Sequence, residues 1–249
     1  MEDDAGPEAQ AAEVVEEDID PRCLKPRALC ICDEITPVAN RIVLLILQHP
    51  QEQDKLLGTA RVTERSLTNA VFRIGLSWPS LAKALGRPAD PRRWAVLFLG
   101  STQAGQFPAG RDIAVFDKQG KPVKDQDDAL ADIEGVVVLD GTWSQAKTLW
   151  WRNPWVLKAS RIALRPRQPS LYGNLRREPR REGVSTLEAA ALVLGRLEDR
   201  PDIATALMGN FALMLERYRA AALPKAPPKP AGRRPGRRPP RSRSRKDPR

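Results

Sequence analysis

The segment Val136-Val137-Val138-Leu139-Asp140-Gly141-Thr142-Trp143 runs from apolar, mostly β-branched residues into a carboxylate, a glycine, a hydroxyl and an indole. Such an apolar run reads as a strand buried on both faces, and open α/β sheets bind ligands beyond the carboxyl ends of their strands. Asp140 is therefore a candidate for chemistry, with the plainer reading that it caps an Asp-Gly turn. Gly141 lets the backbone approach a ligand, and Thr142 adds a hydroxyl. Trp143 offers an apolar face with an N–H donor at its edge, or else a core side chain covering the sheet. Trp150 and Trp151, at the end of the following helix, read as packing residues.

Cys23, Cys30 and Cys32 lie within ten residues of one another. Thiolates this close can hold zinc, but a closed structural site needs four ligands. Asp20, three residues before Cys23, can supply an oxygen, and His49, the single histidine, can reach in from a distance. The alternative is three thiols with no metal. A short, odd-numbered cluster is no disulfide scaffold and fits a reducing cytoplasm.

Other groups gather at strand ends. His49, Glu52 and Thr59 follow one apolar run, and Gly100 and Ser101 follow another. Arg176, Arg177, Arg180 and Arg181 form a basic loop able to clamp phosphates or a carboxylate. Ser185 with Glu188 three residues on makes a capping box, and the N–H groups around Ser185 and Thr186 make a candidate anion site. No GxGxxG, P-loop or HExxH motif is present, so standard nucleotide and metalloprotease readings lack support.

Positioning these residues requires a scaffold. Apolar strands are expected within 41–50, where a loop follows, at 70–75 after a short helix in "TARVTERSLTNAVFRIG", over 93–101 and at 136–140, with another at "RIALRP". Helical patterns fall at "SLAKALG", "DQDDALADIEG", "SQAKTLWWR", "VSTLEAAALVLGRLED" and "PDIATALMGNFALMLERYRAA". The alternation predicts an α/β domain with a mostly parallel sheet covered by helices. The division expected is an acidic, disordered leader over 1–19, a cysteine cluster over 20–36, a catalytic domain over 37–222 and a disordered basic tail over 223–249. Residues 1–20 carry nine acidic groups and no basic one, whereas residues 224–249 carry eleven basic groups against Asp247. The rest is also basic, thirty groups against twenty-one. A polyanion, RNA or DNA first, is the natural partner. No run of eighteen apolar residues suggests a membrane span, and the leader lacks the features of a signal peptide.

Taken in order, "RCLKPRALCIC", "RIVLLILQHPQE", "LGTAR", "VVVLDGTWSQAKTLW" and "LRREPRREGVSTLEAAALVL" resemble the signatures of the DTW-domain family over roughly residues 20–220. The resemblance implies a transferase that moves the 3-amino-3-carboxypropyl group of S-adenosylmethionine to N3 of a tRNA uridine, releasing methylthioadenosine. It implies a fold related to the SPOUT RNA methyltransferases, with a C-terminal knot and, in many relatives, dimerisation. It assigns Asp140 the role of base or partner of the donor's ammonium, with Thr142 and Trp143 shaping the methionine end. Gly100, Ser101, Gly141, Ser185, Thr186 and Glu188 would line the donor site, and the arginines of 176–181, with His49, would meet RNA. Family members open with a four-cysteine zinc pattern, whose first position is Asp20 here. A SPOUT-type methyltransferase and a non-catalytic RNA-binding protein are the competing readings.

Overall fold

The computed structural model describes residues 18–53, 55–97, 107–117, 119–175 and 184–221. Two dipeptides, β1 (Ile19–Asp20) and β2 (Lys25–Pro26), pair antiparallel around the first cysteine. The main sheet contains β3 (Val43–Gln48), β4 (Ala70–Ile74), β5 (Trp94–Leu97), β6 (Ile113–Phe116), β7 (Gly135–Asp140) and β8 (Ser160–Leu164), in the order β4-β3-β7-β5-β8-β6. All neighbouring strands are parallel except β6 against β8. The helices are α1 (Ala60–Arg65), α2 (Leu81–Leu85), α3 (Gln126–Ala131), α4 (Trp143–Arg152), α5 (Thr186–Leu197) and α6 (Pro201–Ala220). A mostly parallel sheet flanked by helices, with a cysteine cluster ahead of it, is thus what the apolar patterning predicts.

Side chains alternate across a strand, and β3 and β7 send apolar residues both ways. Leu44, Ile46, Val136 and Val138 join a cluster with Val62 of α1, Leu187 and Leu194 of α5, and Leu207 and Phe211 of α6. Val43, Leu45, Leu47, Val137 and Leu139 face Leu81 and Leu85 of α2, Leu149 of α4 and Trp155. Both faces are covered, so these strands read as continuous apolar runs. At the start of β7 the neighbouring β5 brings Trp94 so close that a Cβ on Gly135 would lie 2.6 Å from its ring.

Helix boundaries follow local chemistry. The Ser80 hydroxyl accepts from Lys83 N at the start of α2, and Gly86 closes it at φ 87°. Asp125 caps α3 by accepting from Asp128 N. Helix α4 stops before Asn153-Pro154, as expected. Among the described residues no helix is long and apolar enough to cross a membrane.

Two features depart from the sequence reading. Strand β6 was not anticipated: it is four residues long and antiparallel, at the sheet's edge. Its outer side is closed by Gln126, whose Oε1 accepts from Val115 N at 2.7 Å and whose Nε2 donates to Val115 O at 3.0 Å, and by the 121–123 backbone, where Val123 N donates to the same carbonyl at 3.1 Å. Trp151 is not a packing residue, since it is 74% exposed. It points away from the face through which Ala146 and Leu149 of α4 enter the core. Trp150 does pack partly against that core, with the Arg161 guanidinium 5.5 Å from its ring centre.

Candidate functional site

Strands β3 and β7 lie side by side in register, so their last residues, Gln48 and Asp140, are direct neighbours. The Gln48 amide nitrogen donates to Asp140 Oδ2 at 2.8 Å, and the Thr186 hydroxyl donates to Oδ1. One half-buried carboxylate is therefore oriented from two separate elements, a strand and a helix N-terminus. Gln48 is buried, and its Oε1 has no hydrogen-bond partner among the described residues. His49 N donates to the Asp140 carbonyl at 2.9 Å, which brings the two strand-end loops together.

Beyond Asp140 the chain turns directly into α4. Thr142 is its N-cap: Gln145 N donates to the Thr142 hydroxyl, and Thr142 N donates to Gln145 Oε1 at 2.6 Å. The same Gln145 donates through Nε2 to Gln51 Oε1 at 3.3 Å. A Cβ on Gly141 would lie 2.9 Å from Gln145 Cβ and 3.4 Å from His49 Cβ, so only glycine fits without displacement. The Thr142 hydroxyl is thus engaged in capping, and half-buried Trp143 occupies the first turn of α4. His49 caps the 3-10 turn Pro50–Glu52 by accepting at Nδ1 from Gln51 N.

The third wall is the chain entering α5. Ser185 and Glu188 form the expected capping box. Glu188 is buried, and its carboxylate accepts from Ser170 Oγ (2.8 Å), Leu171 N (2.8 Å) and Ser185 N (2.7 Å). Leu187 N donates to Thr59 Oγ1 at 3.3 Å, and the Tyr172 hydroxyl donates to Leu57 O at 2.5 Å. These bonds bear on the anion site expected at Ser185 and Thr186. The N–H groups of Ser185, Leu187 and Glu188 have internal partners, and both residues are buried. What α5 brings to the site is the Thr186 hydroxyl.

The structure brings together Asp140, Gly141, Thr142, Trp143, His49 and Thr186. Ser185 and Glu188 stand behind them as the anchor of α5. Glu52 is buried in the 3-10 turn. Gly100, Ser101, Arg176, Arg177, Arg180 and Arg181 lie outside the described residues. Sequence reasoning missed Gln48, Gln145 and Gln51; neutral amides carry no distinctive spacing, and only the register of β3 with β7 would have revealed Gln48. Clefts of about 400 Å³, lined by Arg111, Asp112, Arg167 and Arg196 among others, and of about 590 Å³ lie along β6 and do not include Asp140 in their walls.

At the other end of the described chain, Asp20, Cys23, Cys30 and Cys32 are all buried, with ligand atoms within 4.8 Å of one another. Arg22 grips the Asp20 carboxylate through Nε and Nη2 and holds it well below the usual carboxylate range. Burial pushes the Cys30 and Cys32 thiols up. Burial likewise lowers Lys25 to about 8, and its Nζ donates to Leu56 O at 2.6 Å. The cluster is thereby tied to the loop between β3 and α1. His49 takes no part in this group.

These features define an α/β protein whose candidate site sits at the carboxyl ends of two central parallel strands. The DTW domain family model matches residues 20–219, and the chain belongs to the DTW-domain family. It is 29% identical over 191 residues to tRNA-uridine aminocarboxypropyltransferase 2 of Drosophila melanogaster, covering 75% of this chain and 69% of that one. It is 26% identical over 182 residues to the protein of the same name from Macaca fascicularis, covering 71% and 55% respectively. For the Mus musculus protein of that name the identity is 26% over 184 residues, covering 71% and 55%. The chain thus spans little more than half the length of the macaque and mouse relatives. No solved structure matches.

Proposed function

We propose that this chain transfers the 3-amino-3-carboxypropyl group of S-adenosylmethionine to N3 of a tRNA uridine in the cytoplasm. The observation that carries the reading is the Asp140 carboxylate, fixed by Gln48 and Thr186 at a strand end within the family's naming motif. The names of the relatives point to the same reaction. The donor's sulfonium activates three attached carbons, and the protein selects among them by orientation.

Uridine N3 carries a proton at neutral pH and attacks only once it is lost. On this reading Asp140 accepts that proton. The N3–carbon bond then forms as the sulfur–carbon bond breaks, with its electron pair going to sulfur and methylthioadenosine leaving. Asp140 can alternatively hold the donor's ammonium, and two of its roughly four lone-pair directions are left for either task. Thr142 and Trp143 shape the donor's methionine end on this reading, with Gly141 giving close backbone approach. N3 lies on the Watson–Crick edge, so the target base must be unpaired or splayed out. The C-terminal knot belongs to the proposal. It rests on the family to which the chain belongs.

Zinc at the cysteine cluster is also part of the proposal. Three sulfurs and one carboxylate oxygen meet the ligand number of a closed site. Cys32 N donating to Cys30 Sγ at 3.4 Å would steady the bound thiolate.

The deciding experiment incubates protein, tRNA and S-adenosylmethionine labelled in either the carboxyl or the methyl group. Carboxyl label alone is expected in the RNA. Methyl label in the RNA would instead identify a methyltransferase, and neither label, with binding intact, an RNA-binding protein.

A further inference from the structure

We infer that the outward face of α4, centred on Trp151, is the surface on which single-stranded bases of the RNA stack beside the target uridine; this rests on the proposed function. Helix α4 starts at the candidate site and runs away from it. Ser144, Lys147 and Trp151, three and four positions apart, are all exposed and form one stripe. Trp151 lies eight positions after Trp143, about 12 Å along the helix at the rise of an α-helix, within reach of nucleotides flanking a base at Asp140. An indole 74% exposed is exceptional among the described residues, where the other exposed large apolar side chains are no more than 40% exposed.

The stretch of chain that carries it bears one sign of charge. Lys147, Arg152 and Lys158 are exposed on α4 and the 3-10 turn Pro154–Lys158. Residues 141–175 contain six Lys or Arg and no acidic residue. An aromatic platform flanked by cations is how proteins bind unpaired nucleic acid, the ring taking a base face and the cations the phosphates. A second copy of this chain suits the face poorly. It would bring the same cations of α4 together, and lysine is depleted at the cores of protein interfaces.

The test is equilibrium binding of the full chain to unmodified tRNA across a salt series, for wild type, Trp151→Ala, Trp151→Phe and Lys147→Gln. Trp151→Ala should bind roughly tenfold more weakly, the loss expected for one stacked base, and Trp151→Phe should recover most of it. Lys147→Gln should lower the slope of log affinity against log salt by about one. Melting temperature and donor binding should stay at wild-type values in all three. Wild-type affinity in Trp151→Ala would overturn the inference. So would a shift from dimer to monomer in that variant with RNA affinity unchanged, which would mark a protein interface. If wild type itself binds no tRNA, the proposed function falls with it; if wild type binds and transfers while Trp151→Ala is unaffected, only the inference falls.

Discussion

Asp140 accepts one hydrogen bond from a strand neighbour and one from a helix cap, and its usefulness depends on both. Asp140→Asn keeps the shape but removes the charge and the proton-accepting capacity. Transfer should fall at least about 100-fold, the low end for a general base, while tRNA affinity is unchanged in a binding assay. Gln48→Leu removes the donor to Oδ2. Loss of a hydrogen bond to a charged group costs about 1.5–3 kcal/mol, so a decrease of roughly ten- to a hundredfold in turnover is expected, with full-length protein still folded by circular dichroism. Thr186→Ser should retain activity and Thr186→Val should lose it by a similar factor. The carboxylate was legible because a strand rarely ends in such a sequence without purpose. Its two partners were not, since Gln48 closes an otherwise apolar strand and Thr186 comes from forty-six residues away.

The strands show where packing has no slack. Gly135→Ala would press a methyl group into the Trp94 ring, and overpacking of this kind costs about 1–3 kcal/mol. Thermal melting should reveal that loss, and a melting curve identical to wild type would mean that Trp94 moves freely aside. Ser185→Ala removes the N-cap of α5 and should cost about 1 kcal/mol. Here it should also cost activity, because Thr186 is the next residue. The capping box of α5, the Ser80 start and the Gly86 stop of α2 were all readable, since each is encoded within four residues. The central parallel strands were readable from their double-sided apolar character. Strand β6 was not, because its four residues gain their place only by pairing with β8, whose sequence lies far along the chain. Trp151 was misjudged for the opposite reason. Its helical neighbours Leu149 and Trp150 do enter the core, and sequence proximity hid a change of face.

At the level of the whole molecule, charge and the cysteine cluster set the expectations. Removing residues 223–249, with their eleven basic groups, should reduce the salt slope of tRNA binding while transfer at saturating tRNA persists; an unchanged slope would show that this segment does not touch RNA. Metal analysis should find about one zinc per chain. Stripping it should lower the melting temperature and loosen the 55–59 loop, whose Leu56 carbonyl is held by Lys25.

The outermost strand has a last consequence. A bare margin of unpaired amides invites other molecules to add on, and charged or covered margins are how β proteins stay dispersed. The Gln126 side chain satisfies the N–H of Val115 and shares its carbonyl with Val123 N, so side chain and 121–123 backbone together imitate the next strand and refuse it a foothold. Gln126→Ala frees the Val115 N–H while Val123 still holds the carbonyl, and should therefore leave catalysis alone yet make concentrated solutions turn turbid at a lower temperature than wild type.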